Sequence, residues 1–229
     1  MSNSSSKNPK LKRLNSPCLF KEGPAIVTVD KDKNNFPTKI TIELKQYPTH
    51  VITYLPKTPK GKKKFLKING QYFYNSKIKE HMRSKAMSEL HIYYTQALNS
   101  YPSLKYELKD MLPIKVKMDW YTVPNHETVK VLKENLNFPA IIQDDSLCFE
   151  PSFDVDNQWP FIKSFQDTLV KDLGYLPEDT VKYLPASGSI QFNPISDFSE
   201  RKLVFTIVPL EEKYKSDWER YFKYWRTTK

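Results

Sequence analysis

The chain has 229 residues, 39% of them hydrophobic and 14% aromatic, which is enough apolar material for a buried core and excludes a wholly disordered chain. Lys plus Arg outnumber Asp plus Glu by 36 to 26, and the net charge of +10 favours a polyanionic partner: DNA, RNA or an acidic membrane face. The two cysteines, Cys18 and Cys148, form no CxxC or Cys/His cluster, and the four histidines share no ligand spacing, which argues against a zinc site. No stretch approaches the ~20 apolar residues of a membrane span and no apolar signal core opens the chain, so a reducing, cytoplasmic setting without a membrane partner is expected.

In chain order, residues 1–22 are polar, basic and aperiodic, and read as a disordered basic tail. Residues 25–30 and 39–45 read as strands; in the second, Ile40, Ile42 and Leu44 alternate with polar neighbours. His50–Leu55 reads as a further short strand. Residues 56–67 (PKTPKGKKKFLK) carry six lysines and no acid, and read as a Pro/Gly loop in which Lys57, Lys60, Lys62, Lys63, Lys64 and Lys67 are candidate phosphate contacts. A charge run of this kind is also what a solvated loop looks like. Asn69-Gly70, flanked by Phe65–Ile68 and Gln71–Tyr74, signals a hairpin. A helix is expected over about 77–99, capped by Asn75 or Ser76, with Ile78, Met82, Met87, Leu90, Tyr94, Ala97 and Leu98 as its buried stripe.

Ile114, Val116, Met118, Trp120 and Thr122 alternate as a strand after Pro113. Residues 124–152 read as an insertion with a short helix near 127–136. A second helix is expected from about 159, with Pro160 in its first turn, Gly174 at its C-terminal cap, and Phe161 or Ile162, Phe165, Leu169 and Leu173 buried. Ser189–Asn193 and Leu203–Val208 read as closing strands. Residues 213–226 read as a last helix with Ser216 and Glu219 as a capping box and Tyr214, Trp218, Phe222 and Trp225 along one face. The order predicts an α+β fold, a mixed sheet with helices packed on one face, spanning residues 23–210. The tail 1–22 and an aromatic, basic helix over 211–229 extend it.

The chemistry concentrates between 154 and 179. Asp154 and Asp156 stand two residues apart, and on an extended segment both project to one side. Two such carboxylates repel unless a cation lies between them, and their hard oxygens suit Mg²⁺. The plainer reading is a turn in which Asp156 or Asn157 caps the following helix. On that helix Lys163 and Asp167 lie four residues apart, and Glu178-Asp179 follow the Gly174 stop. A helix of this length, followed by a turn and a strand, allows Asp179 to approach Asp154 and Asp156.

Asp154-Val155-Asp156-Asn157, then Lys163, Asp167-Thr168-Leu169, Gly174 and Glu178-Asp179 resemble the RusA family of Holliday-junction resolvases. The motif-bearing part covers about 30 residues. The resemblance implies a homodimer that cuts four-way DNA junctions with Mg²⁺, or Mn²⁺ in its place, and with no small-molecule cofactor. It implies that Asp154, Asp156 and Asp179 bind the metal and that Lys163 is the catalytic lysine. Asn157, Asp167 and Glu178 would support them, in a bacterial or phage setting. Three departures stand out. Five residues separate Asn157 from Lys163 where the family has two, Glu178 replaces an aspartate, and both termini and 124–152 are longer. The competing expectation is a non-catalytic nucleic-acid-binding protein on the same fold; a third is an interaction protein contacting its partner through the aromatic C-terminal helix.

Overall fold

The computed structural model describes residues 25–45, 47, 50–54, 63–68, 80–122, 155–180, 182–195, 200–212, 214–217 and 219–220, with the side chains of 50–54, 63–67, 81, 82, 156, 186 and 187 excepted. The elements are β1 (Ile26–Lys31), β2 (Pro37–Lys45), β3 (His50–Tyr54), β4 (Lys63–Lys67), α1 (Glu80–Leu98), α2 (Leu104–Met111), β5 (Ile114–Thr122), a 3₁₀ turn (Val155–Gln158), α3 (Trp159–Asp167) continued by a π-helical turn (Thr168–Asp172), β6 (Ala186–Pro194) and β7 (Lys202–Pro209). A five-stranded sheet runs in the order β1-β2-β7-β5-β6. Its pairs are antiparallel except β5 with β6. Parallel neighbours need a crossover, and α3 lies on that connection. The fold is therefore α+β with a mixed sheet.

The alternation read from the sequence appears as rows across the sheet. Val27, Ile42, Phe205, Met118 and Ile190 are register partners, as are Leu44, Leu203, Trp120 and Phe192 in the next row. Ile40, Ile42, Leu44, Val116, Met118, Trp120, Leu203, Phe205 and Ile207 are all buried. These side chains meet Leu90, Tyr94, Phe161, Phe165 and Leu169 from the helices. Phe165 stacks on Phe205 with centroids 3.8 Å apart, and Tyr94 meets both rings edge-on. The Trp120 indole donates to Tyr47 Oη at 2.6 Å, so this buried N–H has its partner. The opposite face carries the half-buried Lys115, Lys117, Asp119 and Tyr121 of β5 and the even-numbered residues of β7, as expected of a sheet that packs one face on α1 and α3.

Several expectations change. Lys63 and Lys64 lie on strand β4 rather than in a loop, and Lys67 ends that strand, because the arm expected from Phe65 starts at Lys63 and pairs antiparallel with β3. These two strands form a separate sheet. Lys57, Lys60 and Lys62, the Asn69-Gly70 turn, the Asn75/Ser76 cap, the insertion 124–152 and the tail 1–22 lie outside the described residues. Helix α2 was not anticipated; its Leu104, Leu108 and Met111 are buried. The last helix is already under way at residue 212, with the Tyr214 and Lys215 amides donating to the Glu211 carbonyl, so Ser216 lies inside it and is no cap. Tyr214 stays half exposed, with Lys115 Nζ 5.6 Å from its ring centre.

Helix α3 starts and stops as expected. Pro160 occupies its first turn, where no amide is needed. Gly174 closes it at φ +61°, and the Tyr175 and Leu176 amides donate to the Leu169 carbonyl. A Cβ at Gly174 meets nothing within 4 Å, so only the left-handed backbone disfavours a side chain. Gly174→Ala is therefore expected to cost about 1 kcal/mol in chemical denaturation, and Gly174→Asn clearly less.

Candidate active site

The inner side of α3 is fixed by packing and hydrogen bonds. Tyr94 Oη donates to the Phe161 carbonyl at 3.1 Å, Ser164 Oγ donates to Met87 Sδ at 3.4 Å, and Thr168 Oγ1 donates back to the Ser164 carbonyl at 2.8 Å. At the far end, His91 Nδ1 of α1 lies 2.6 Å from Asp172 Oδ2. Against β6, Gly188 sits at φ +98° where the β5–β6 register shifts, and a Cβ there would meet Ile162 Cδ1 at 3.5 Å. The helix is thus held from both α1 and β6, which sets the position of the charged side chains it carries.

Those side chains form one cluster. Lys163 Nζ donates to Asp167 Oδ1 at 3.0 Å and to Asp179 Oδ2 at 2.7 Å. Lys171 Nζ donates to the same Asp167 Oδ1 at 3.0 Å. The Asp167 side chain is only 9% exposed, whereas Lys163 is 42%, Asp179 35% and Lys171 58% exposed. Asp167 is the buried anchor, and the other three face solvent around it. The Lys163 hydrogen bond and charge hold the Asp179 carboxyl below its usual range, against a small opposing effect of burial, with Asp167 and Lys171 adding to the lowering. Burial alone would lower the Lys163 ammonium, but hydrogen bonds and charge from Asp179 and Asp167 outweigh it and raise its pKa.

The residues singled out from the sequence divide as follows. Lys163, Asp167 and Asp179 are brought together, although Asp179 lies beyond the end of the helix. Asp156 lies in the 3₁₀ turn rather than on an extended segment, so the same-side spacing argument does not apply to its backbone; its side chain and all of Asp154 lie outside the described residues. The N-cap of α3 is Gln158, without a side-chain capping bond, so neither Asp156 nor Asn157 fills that position. Asn157 is half-buried in the same turn. Glu178 turns aside and accepts from Thr180 Oγ1 at 3.5 Å. Lys171 was missed, although its spacing of four from Asp167 repeats that of Lys163 to Asp167 and was readable.

Among the described residues no three His, Cys, Asp or Glu side chains lie close enough to hold a metal ion. Asp167 and Asp179 nonetheless direct carboxylate oxygens from two elements at one cationic group, the donor chemistry that suits a hard cation. No helix among the described residues is long and apolar enough to cross a membrane. No protein-family model, curated protein or solved structure matches the chain.

Proposed function

We propose that this chain is a Mg²⁺-dependent endonuclease of RusA type that cuts four-way or otherwise branched DNA. The observation that carries the reading is the Lys163–Asp179 contact at 2.7 Å, with Asp167 on the same ammonium. The motif predicts that a helix lysine and an aspartate 16 residues later serve one site, and their meeting supports it. A protein that merely bound phosphates would gain nothing from the negative charge of Asp154, Asp156 and Asp179.

In this reading Asp154, Asp156 and Asp179 would hold Mg²⁺, or Mn²⁺ in its place, and no small-molecule cofactor is needed. When bound, the ion supplies an acidified water and polarises the phosphoryl oxygens. Lys163 neutralises charge that builds on the phosphate or the leaving oxygen, leaving a 5′-phosphate and a 3′-hydroxyl. Asp167 fixes Lys163, while Asn157 and Glu178 support the metal-binding carboxylates. Lys57, Lys60, Lys62, Lys63, Lys64 and Lys67 track the DNA backbone. A homodimer places two such sites symmetrically across a junction.

One observation favours the runner-up, a nucleic-acid binder that does not cut. Of the five residues between Asn157 and Lys163, only Gln158 belongs to the 3₁₀ turn and the other four lie on α3. Three further residues at helical pitch shift Lys163 by about 4.5 Å along the axis and about 60° around it. Cleavage assays on a labelled four-way junction and on linear duplex of the same sequence separate the readings. The nuclease cuts the junction in preference and only with Mg²⁺ or Mn²⁺; the binder retards the junction and leaves it intact.

A further inference from the structure

Lys163 and Lys171 donate to the same oxygen of a buried carboxylate, each at 3.0 Å. Their ammonium groups therefore lie within twice that distance of each other. In a regular α-helix, eight residues would carry Lys171 about 80° around the axis from Lys163. The π turn over Thr168–Asp172 is wider, so each residue advances by less, and Lys171 comes back towards the line of Lys163 and Asp167. Nothing in the TLVKD sequence demands this widened turn. Its effect is to place two cations on one exposed side of α3, with Asp167 behind them.

The two lysines are not equivalent. Among the described residues Lys163 is held by two carboxylates, whereas Lys171 is held by Asp167 Oδ1, an acceptor it shares, and is the more exposed of the pair. A compact oxyanion with two free oxygens can reach both ammonium groups at once, and a phosphodiester has that shape and charge.

We infer that Lys163 and Lys171, organised by Asp167, form a two-pronged subsite for a backbone phosphate, with Lys171 the prong that binds DNA without taking part in the chemistry. This deepens the nuclease reading and rests on it. Lys171 holds the strand, and Asp167 is a positioning residue for both lysines.

The test is fluorescence anisotropy of a labelled four-way DNA junction in EDTA over a KCl series, so that binding is read without cleavage. The variants are Lys171→Gln, Lys171→Arg and, as a control, Lys39→Gln; Lys39 is a similarly exposed lysine paired with Asp30 on β1. Lys171→Gln is expected to weaken binding about eightfold at 0.1 M salt and to make the plot of log K against log salt shallower by about one. Lys171→Arg is expected to retain affinity and slope, and Lys39→Gln to match the wild type. Equal losses in the Gln and Arg variants overturn the inference, because charge would not be the determinant. A Lys171→Gln protein with wild-type affinity and slope overturns it too, and leaves the nuclease reading standing if the wild type still cuts in Mg²⁺. A wild type that neither binds nor cuts the junction overturns both.

Discussion

Lys163→Met is expected to slow junction cleavage by about 10²–10³-fold under single-turnover conditions, the scale of losing one preorganised electrostatic partner of the transition state. The fold should survive, because Lys163 is partly exposed and Asp167, the buried member, keeps Lys171 as a donor. A second readout separates this role from a structural one. In the wild type the Lys163 ammonium holds Asp179 below its usual pKa of 3.8. Without it, the Asp179 carboxyl should return towards that value, which ¹³C-detected NMR titration of the carboxylates measures.

The same contact gives the pH dependence of stability a definite sign. Asp179 has a lowered folded-state pKa, so its stabilising contribution is present above 3.8 and disappears as pH falls through the lowered value. Lys163 has a raised folded-state pKa, so its contribution is present below 10.5 and disappears as pH rises through the raised value. The stability gap between wild type and Lys163→Met should be widest between those limits and narrow at both ends. It should also be small, because the pair is exposed enough for water to screen it. A gap that widens in acid contradicts the assignment.

Asp179→Asn is expected to abolish cleavage to a similar degree, about 10²–10³-fold or more, while junction binding is retained or tightens slightly. The sign of the binding change is diagnostic. Removing a carboxylate from beside two lysines lowers repulsion of the DNA backbone, so affinity should not fall if the residue serves the chemistry. Lys163 keeps its bond to Asp167 in this variant, so the local structure changes little. Anisotropy in EDTA and cleavage in Mg²⁺, measured on one preparation, give both numbers. Weakened binding with unchanged cleavage would place Asp179 outside the site.

Much of the frame was readable because one face of the sheet is buried and the other is not. β5 runs over Ile114–Thr122 with strictly alternating burial, the pattern its residues spell out. Helix α3 was delimited by Pro160 and Gly174, which act through backbone geometry and need no tertiary context. What escaped the reading depends on partners distant in sequence or on short elements. Lys63 and Lys64 join a strand only because His50–Tyr54 pairs with them; taken alone, these lysines read as a loop. The eight residues of α2 span too few turns for periodicity to stand out. His91 meets Asp172 from 81 residues away. The acidic motif pointed to convergence of Asp179 on Asp154 and Asp156. Among the described residues its partner is Lys163, and the cluster includes Lys171, whose alignment depends on a π turn that leaves no mark in residue type.

The decisive measurement is cleavage of a strand-labelled four-way junction by wild type and Asp156→Asn, with and without Mg²⁺, alongside binding of the same junction. The nuclease reading predicts paired, symmetric nicks carrying 5′-phosphates for the wild type in Mg²⁺. It predicts none without the metal, and none for Asp156→Asn, which still binds. Tight binding with no cutting in Mg²⁺ or Mn²⁺, or an Asp156→Asn protein that cuts at the wild-type rate, would contradict it.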